Sequence, residues 1–471
     1  MKGFVSFVGA GPGDVELITA KGLRRLRKAD VVLYDRLVNP RLLRFTKETC
    51  EFIYCGKLPT KHVMPQETIN KTLKDKALAG HQVVRLKGGD PAVFGRVGEE
   101  ASALKRKEVE YEIVPGITSS LAAASYAGIP VTHRNHSASI TLRTGHSVEK
   151  SSTVPQDKEG HGDTIAYYMG VKNLGYHCEE LVKDGFSPDT KAAVIEWATT
   201  GKQRTVTGTI TTIEEEVKKT GIQNPAMTII GDVVGLREEL QWFEAKRLFG
   251  KRILVAKSSS AESSLEQHFL ELGAEAYAFP ALKLEKKNLA STSLQSVKKA
   301  DALLFQSPES VTILLEQFYA EGFDVRDLPR NIYCLSEKTK RVLQNAGLKS
   351  EKINESGEGM LVVGYEKEEI SSPGGEILTT HAVKLDNRFR IIDERMLEEE
   401  WETVVFPSAA SVDWFLHVRN LYGMLNLSHL RFACLGETVK KYAQAHGFSI
   451  LDEQVQQELE MWKNSSFHPV R

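Results

Sequence analysis

The sequence lacks an excess of charge of either sign, because 61 lysines and arginines are balanced by 62 aspartates and glutamates. Such a chain has no global field to hold nucleic acid or an anionic membrane, so neither is expected as a partner. It also lacks an apolar run long enough to span a membrane, and the apolar stretch before Gly9 is too short for a secretory signal. We therefore expect a soluble protein that is not exported.

Cysteine is scarce, and the five that are present are scattered and include no C-x-x-C pair. An odd, unpaired set favours a reducing cytoplasm and gives no sign of a structural metal site. His133, His136 and His146 are the nearest approach to a metal cluster. No cysteine or carboxylate group completes that set, so we expect no metal, since isolated histidines are more often hydrogen-bonded parts of the structure.

Hydrophobic residues make up 41% of the chain and charged residues 26%, which is the balance of a globular protein. A length of 471 residues exceeds what one core supports, so at least two domains are expected. Short β-rich runs alternate with longer helical patterns, which indicates an α/β fold. The runs are Phe4–Val8, Val31–Tyr34, Val83–Leu86, Ile165–Met169, Ala192–Glu196 and Met227–Ile230. After a break near Lys246, the strand Ile253–Ala256 restarts the alternation.

The second half contains an internal repeat. ADALLFQSPESVTILLEQF aligns with WETVVFPSAASVDWFLHVR, and IYCLSEKTKRVLQNAGL aligns with FACLGETVKKYAQAHGF. Each segment is read as a strand, a small polar turn and a helix, so two similar α/β lobes are predicted. The stretch between residues 357 and 402 is charged and holds Pro373-Gly374-Gly375, so part of it is expected to loop or cross between the lobes.

Three loops rich in small residues follow three predicted strands of the first half. The first, Gly9-Ala10-Gly11-Pro12-Gly13-Asp14, departs from the dinucleotide fingerprint, because Asp14 replaces its last glycine and Pro12 lacks an N–H for phosphate. A plain strand-to-helix turn remains the alternative reading for this loop. The others are Lys87–Pro91 and Pro115–Ser119. Ligands of open α/β sheets collect at such strand ends, so we expect one shared crevice for a flat, uncharged group such as adenine and its ribose.

These loops and the segments around them resemble the uroporphyrinogen-III C-methyltransferase family of tetrapyrrole methylases. The resemblance covers residues 1–245 and is carried by VGAGPGD with LITAKG, ADVVLYDRLV, VVRLKGGDPAVFGRVGEE, VPGITSSLAAASYAGIPVTHR, TGH, YYMGVKNL, EWATTGKQRTV and PAMTIIGDVVGLREELQWFE. It implies a two-lobed α/β domain that methylates uroporphyrinogen III on two pyrrole rings with S-adenosylmethionine. The product would be precorrin-2, which leads to siroheme or corrinoids such as cobalamin, and the family usually forms homodimers.

The resemblance also implies an S-adenosylmethionine site. Its residues would be Pro12, Gly88, Gly89, Asp90, Val93, Thr118, Ser119, Met169 and Ala198. From the sequence alone, Val93 and Met169 are more simply read as core residues and Asp90 as a turn residue before Pro91.

The same resemblance assigns Asp35 as proton acceptor and Lys57 as proton donor, with Arg96 as a catalytic candidate. Glu99, three residues after Arg96 at a helix start, is expected to orient the Arg96 guanidinium. A surface ion pair is the alternative for Asp35, Arg36 and Lys57. The carboxylate-bearing macrocycle needs cationic partners, and the substrate candidates are Arg36, Arg134 and His146. Val97 stands where the family usually has glycine, which affects the expected shape of that loop.

Residues 250–463 resemble uroporphyrinogen-III synthase, a bilobal α/β enzyme. Ser307 and Ser408 are placed to bind substrate carboxylates or, equally, to cap helices. VAKSSS and CLSEKTK depart from the family pattern, so we hypothesise a synthase-like domain of weak or no activity. Two rival functions for the whole chain are a nicotinamide-dependent oxidoreductase and a tetrapyrrole-binding carrier.

Overall fold

The computed structural model describes residues 3–56, 64–145, 163–354, 357, 359–367, 377–398, 400–423 and 429–466. The chain divides into two compact units. One consists of Met1–Ile253 with Gln267–Ala276, and the other of Leu254–Glu266 with Tyr277–Arg471. In the part of the chain that is described, no helix has the length and apolar character needed to cross a bilayer.

The first unit begins with a parallel five-stranded sheet in the order β3-β2-β4-β1-β5. Its strands are β1 (Phe4–Gly9), β2 (Val31–Tyr34), β3 (Glu51–Tyr54), β4 (Gln82–Lys87) and β5 (Tyr111–Val114). Its helices are α1 (Ala20–Lys28), α2 (Gln66–Leu78), α3 (Val97–Lys105) and α4 (Ser119–Tyr126). β1 and β2 are mostly apolar and buried on both faces, as expected where helices cover a parallel sheet.

One face of this sheet packs against α2 and α3. The alternate strand residues Val5, Phe7, Val31, Leu33 and Val83 meet a stripe from the two helices, which consists of Ile69, Leu73, Ala77, Val97, Ala101 and Leu104. Residues that follow the same alternation further along β2 and β4 therefore point to this face as well.

The second sheet of this unit is mixed, in the order β6-β7-β10-β8-β9, with only β6 and β7 parallel. Its strands are β6 (Ile140–Thr144), β7 (Thr164–Tyr168), β8 (Lys191–Glu196), β9 (Arg204–Thr209) and β10 (Ala226–Ile230). Its helices are α5 (Leu174–Lys183), α6 (Ile213–Thr220) and α7 (Arg237–Leu240). The two sheets confirm a two-lobed α/β first half.

The second half of the chain forms two further sheets, in the orders β12-β11-β19-β20 and β13-β18-β17-β14-β15-β16. Their strands are β11 (Arg252–Ala256), β12 (Glu275–Phe279), β13 (Leu282–Lys286), β14 (Ala302–Phe305), β15 (Asn331–Cys334), β16 (Glu351–Lys352), β17 (Met360–Lys367), β18 (Ile377–Leu385), β19 (Thr403–Phe406) and β20 (Arg431–Cys434). The helices are α8 (Ser264–Glu271), α9 (Ser291–Lys299), α10 (Pro308–Ala320), α11 (Glu337–Asn345), α12 (Arg390–Leu397), α13 (Ala409–Leu421), α14 (Glu437–Ala445) and α15 (Glu453–Ser466).

The repeat predicted from the sequence is present, with one copy in each sheet. In one copy β14 and β15 pair in parallel, and in the other β19 and β20 do the same. Ser307 and Ser408 occupy equivalent positions, and each side chain accepts the backbone N–H three residues later at the start of α10 or α13. Both serines are therefore helix caps.

The region between the repeats is more regular than expected. It contains β17, β18 and α12, and β17 and β18 pair in parallel within the six-stranded sheet. Pro373-Gly374-Gly375 lies outside the described residues.

Candidate active site

Three loops meet at the carboxyl end of the first sheet, because the strands that lead into them, β4, β1 and β5, are neighbours. The backbone N–H of Gly89 donates to the carbonyl of Gly11 at 2.7 Å, and Ala10 N–H donates to the Lys87 carbonyl at 2.8 Å. The third loop is joined by the Gly116 N–H, which donates to Asp90 Oδ2 at 3.0 Å. The three loops that were expected to share a crevice therefore meet at one end of the sheet.

The close approach of these loops requires glycine. A Cβ on Gly116 would lie 2.5 Å from the Gly89 carbonyl oxygen and 2.8 Å from the Gly9 Cα, which are impossible separations. Asp90 completes the junction, since its second oxygen accepts the Ala92 N–H at 2.7 Å. Asp90 is therefore both a turn residue and a link between two loops.

The second lobe reaches the first loop at Asp14. The Asp14 N–H donates to Thr199 Oγ1 at 3.0 Å, and Tyr126 Oη donates to Asp14 Oδ2 at 2.7 Å. Burial and then the neighbouring Asp14 raise the pKa of Tyr126. Gly13 is packed so closely here that a Cβ on it would lie 3.1 Å from the Ala198 carbonyl oxygen. The loop thus lies against the turn that follows β8.

Tyr168, at the end of β7, joins the second lobe to the third loop. Its Oη is 2.6 Å from Thr118 Oγ1, donates to Ser120 Oγ at 2.9 Å and accepts the Ser120 N–H at 3.3 Å. Its ring packs on Phe94, with centroids 4.8 Å apart. Neither aromatic residue was predicted as part of the site, although each lies within a segment that carried the resemblance.

Strained backbone is concentrated near the loops. Among the described residues, six that are not glycine have positive φ, and five of these lie in the segments just described or adjoin them: Phe94, Arg96, Met169, Trp197 and Thr199. Such conformations are costly and are retained where the surroundings demand them, typically at functional sites.

The structure places the nine residues suggested for S-adenosylmethionine on the three loops or on the second-lobe turns beside them. Pro12 precedes Gly13, and Ser119 Oγ would lie 3.3 Å from a Cβ on Gly89. Met169 follows Tyr168 and is 40% exposed, so the reading of Met169 as a core residue is wrong. Val93, in the turn after Asp90, is half-buried.

Asp35 lies at the carboxyl end of β2 and accepts a hydrogen bond from Arg85 Nη2 at 2.8 Å. Its side chain is 34% exposed, whereas that of Arg85 is 3% exposed. Behind them, Glu100 is fully buried, with Oε2 3.5 Å from Arg85 Nε and Oε1 3.0 Å from Lys87 Nζ. Gln66 Nε2 also donates to Glu100 Oε1, at 3.1 Å. A buried line of charges thus leads to Asp35.

Two pKa values within this line are shifted in opposite directions. Burial lowers the pKa of Lys87, and the nearby Arg85 adds to the effect. Burial opposes the charge of Arg85 too, but the Asp35 and Glu100 carboxylates outweigh it and raise the pKa of Arg85. Cys55 lies in the same field, and its burial raises its pKa to about 11.

Arg96 and Glu99 form a two-pronged pair at the start of α3, as their spacing predicts. Arg96 Nε donates to Glu99 Oε1 at 2.9 Å and Nη2 donates to Oε2 at 2.7 Å. Both side chains are more than half exposed, at 59% and 57%. The pair can therefore meet a ligand from solvent.

The remaining candidates differ in how well the structure places them. Arg36 and Arg134 are exposed, and within the described ranges no hydrogen bond or ion pair joins Arg134 to the three loops. Lys57 and His146 lie outside the described residues. No group of three metal-binding side chains occurs in the part of the chain that was described.

Comparison with known proteins defines the class. Residues 5–214 match the family model of Tetrapyrrole (Corrin/Porphyrin) Methylases, and residues 263–384 match that of Uroporphyrinogen-III synthase HemD. The chain is 39% identical over 466 residues to a uroporphyrinogen-III C-methyltransferase of Bacillus subtilis (strain 168), covering 96% of this chain and 95% of that protein.

Two further relatives show how the halves combine. The porphyrin biosynthesis protein HemD of Ruminiclostridium josui is 33% identical over 476 residues, which cover 93% of this chain and 94% of that protein. A uroporphyrinogen-III C-methyltransferase of Priestia megaterium is 55% identical over 234 residues, covering 49% of this chain and 98% of that protein. The chain belongs to the uroporphyrinogen-III C-methyltransferase family and carries a uroporphyrinogen-III synthase HemD segment behind the methylase segment.

Proposed function

We propose that the first half of the chain transfers methyl groups from S-adenosylmethionine to two pyrrole rings of uroporphyrinogen III and so makes precorrin-2. The observation that carries this proposal is the junction of three glycine-bearing loops at the ends of β1, β4 and β5. Relatives named uroporphyrinogen-III C-methyltransferase support the same reaction. Siroheme or corrinoid synthesis would use the product.

The loops suit a neutral adenosyl group better than a phosphate. They offer backbone groups and small side chains, and Asp14 places a carboxylate where a pyrophosphate would be repelled. This disfavours the nicotinamide-dependent oxidoreductase. Calorimetry should show binding of S-adenosylmethionine and none of a nicotinamide cofactor; the reverse result would reject the methyltransferase.

Methyl transfer requires a nucleophilic carbon aligned behind the methyl group, so positioning is most of the catalysis. The pyrrole carbon forms the new C–C bond while the S–CH₃ bond breaks and its electron pair stays on sulfur. A proton must leave the macrocycle afterwards. We assign Asp35 as its acceptor and Lys57 as a proton donor, with Arg96 oriented by Glu99 at the same site.

The acidic arms of the macrocycle need cationic partners at the rim of the crevice. We assign Arg36, Arg134 and His146 to this role, and assign the methyl donor to Pro12, Gly88, Gly89, Asp90, Val93, Thr118, Ser119, Met169 and Ala198. The guanidinium groups of Arg36 and Arg134 are exposed, which leaves them open to carboxylates.

Mass spectrometry of the reaction product tests the proposal. Incubation of the full chain with uroporphyrinogen III and S-adenosylmethionine should yield a product with two added methyl groups and two equivalents of S-adenosylhomocysteine. Macrocycle that binds but gains no methyl group under saturating donor would instead support the carrier.

For the second half we propose a synthase-like domain over residues 250–463, following a methylase domain over residues 1–245. The match to the HemD model supports its ancestry. We hypothesise that its activity is weak or absent, because VAKSSS and CLSEKTK depart from the pattern of the synthases. Conversion of hydroxymethylbilane to the type III isomer by the fragment from Lys251 onward would refute that hypothesis.

The cellular setting is also a proposal. Five buried free cysteines suit the reducing cytoplasm, and the balanced charge favours neither nucleic acid nor membrane as a partner. We propose a homodimer, as is usual in the family. Light scattering on the purified chain would decide between a dimer and a monomer.

A further inference from the structure

Building on the proposed function, we propose that Arg85 is a positioning residue, held from behind by Glu100, that places a guanidinium against the Asp35 carboxylate and aims that carboxylate at the substrate. The Arg85 and Glu100 side chains are themselves buried. Both act through Asp35, the one member of the line with substantial exposure.

Strand alternation places these charges on one face of the first sheet. Asp35, Arg85 and Lys87 follow the strand alternation that turns Leu33 and Val83 toward α2 and α3, and Glu100 comes from α3 to meet them. Arg85 alone reaches both carboxylates, with Nη2 on Asp35 and Nε toward Glu100. A planar guanidinium can span two acids in this manner, whereas a lysine ammonium on the same strand cannot.

The buried charges of Arg85 and Glu100 are poorly arranged to stabilise the fold. A buried ion pair often contributes no more stability than well-packed apolar side chains would. In the described part of the chain, Arg85 Nε and Glu100 Oε2 have no hydrogen-bond partner, because their separation of 3.5 Å is too long for one. Because these buried charges bring little stability, their presence indicates a role in the site around Asp35.

Arg85 is also the cation in contact with Asp35. Among the described residues, Glu100, Lys87 and Cys55 are further charged or titratable groups that interact with Asp35 or Arg85. Burial and Arg85 lower the pKa of Lys87, and Cys55 stays protonated at neutral pH. A neighbouring cation favours the ionised form of a carboxylate, which a proton acceptor needs.

Kinetics of Arg85→Met, Arg85→Lys and Glu100→Gln in the full chain test the proposal. In Arg85→Met the acid limb of the kcat profile should move up by about one pH unit, since an adjacent opposite charge is worth at least that much. The KM for S-adenosylmethionine should stay unchanged, because the Arg85 side chain contacts Asp35 and Glu100, neither of which is assigned to the donor. Arg85→Lys should keep most of the pH dependence of kcat. Glu100→Gln should shift the acid limb of kcat less than Arg85→Met does.

The matched control is Arg237→Met, which breaks another largely buried Arg–Glu pair of the same unit, with Glu244. It should lower thermal stability and leave the pH profile unchanged. A double-mutant cycle adds a second readout: in the Asp35→Asn background, Arg85→Met should cost no further kcat. If Arg85→Met fails to fold, Glu100→Gln still reports the shift, with Arg85→Lys as the variant that keeps the profile.

Three outcomes overturn the inference: an unshifted acid limb in Arg85→Met and Glu100→Gln, a loss of kcat that is the same at every pH, or additive losses with Asp35→Asn. Failure of the proposed function is distinguishable from these. In that case the unmodified chain itself would not methylate uroporphyrinogen III.

Discussion

At the scale of single residues, the glycines of the crevice are the most restrictive positions. In Gly116→Ala the new methyl group would meet the Gly89 carbonyl and the Gly9 backbone, so the loops must separate. We expect the affinity for S-adenosylmethionine to fall by about tenfold or more, equivalent to 1.4 kcal/mol. Isothermal titration calorimetry measures this directly.

Gly98→Ala is the matched control for that experiment. Gly98 lies in α3, and a Cβ there has nothing within 4 Å. It should bind the methyl donor normally and unfold at the same temperature or slightly above, since alanine favours a helix. Equal affinities for the two variants would remove the loop junction from the binding site.

Arg96 gives a second prediction at this scale. Because it is exposed and held by Glu99, Arg96→Ala should reduce kcat by about a hundredfold, as for loss of a charged group that stabilises the transition state, and leave the affinity for S-adenosylmethionine nearly intact. Stopped assays of the methylated product with a parallel titration separate these effects. Lys183→Ala, which breaks the exposed pair with Glu180, is the control. An unchanged rate would remove Arg96 from the catalytic set.

The residue scale is also where prediction from the sequence reached its limit. The glycine loops were foreseeable because glycine, proline and small polar residues mark turns after strands. The line from Arg85 to Glu100 was not, because nothing local shows that charges at alternate positions of VVRLKGG share a buried face with a glutamate from the next helix. Tyr168 was missed for the same reason, since its partners Thr118 and Ser120 are about fifty residues away in sequence.

At the scale of secondary-structure elements, Glu112 on β5 anchors α1 to the first sheet. It accepts hydrogen bonds from Lys21 and Arg25 of that helix and from Ser6 Oγ at 2.9 Å. Burial raises the pKa of Glu112, but these hydrogen bonds outweigh burial and bring it down to about 2. A lowered folded pKa gives stability that is present above the ordinary value of 4.5 and lost as pH falls toward 2.

Glu112→Gln should therefore lower the free energy of unfolding by about 1 kcal/mol at neutral pH and flatten its acid dependence. Urea unfolding over a series of pH values measures both. Glu110→Gln, an exposed side chain just before β5, should change neither quantity. If Glu112→Gln kept the acid dependence of the unmodified chain, the anchor would have no energetic role.

Elements were predicted well where the pattern was strong. All seven strands read from apolar runs are present, with ends within one residue of those expected. β6 and β9 were not anticipated, because they form the edges of their sheet and carry polar, partly exposed residues. β17 and β18 lie in a segment whose charge suggested a loop, and their pairing with each other and with β13 and β14 supplies the missing order.

At the scale of the whole molecule, the methylase half should act without the other. The relative from Priestia megaterium has about the length of this half, and the segment after α7 packs on it. Arg237, Gln203 and Thr205 all bond to Glu244, and Phe243 packs on Tyr126 with ring centroids 4.8 Å apart. We expect a fragment of residues 1–250 to methylate at nearly the rate of the full chain.

A fragment of residues 1–240 is the control, because it lacks Phe243 and Glu244. It should unfold at a lower temperature and aggregate, as a buried polar cluster around Arg237 would lose its acceptor. Product formation and thermal unfolding of both fragments are the measurements. An inactive but folded 1–250 fragment would show that methylation depends on the second half.

The strained positions bordering the crevice set a boundary for protein engineering. Each of Phe94, Arg96, Met169, Trp197 and Thr199 holds a backbone shape that costs about 1 kcal/mol or more, so exchange for glycine looks attractive to anyone seeking heat tolerance. Those residues lie in or beside the segments assigned to the methyl donor, so we expect their exchange to lower turnover. Screens for more thermostable variants should start at the sheet edges and leave these five residues unchanged.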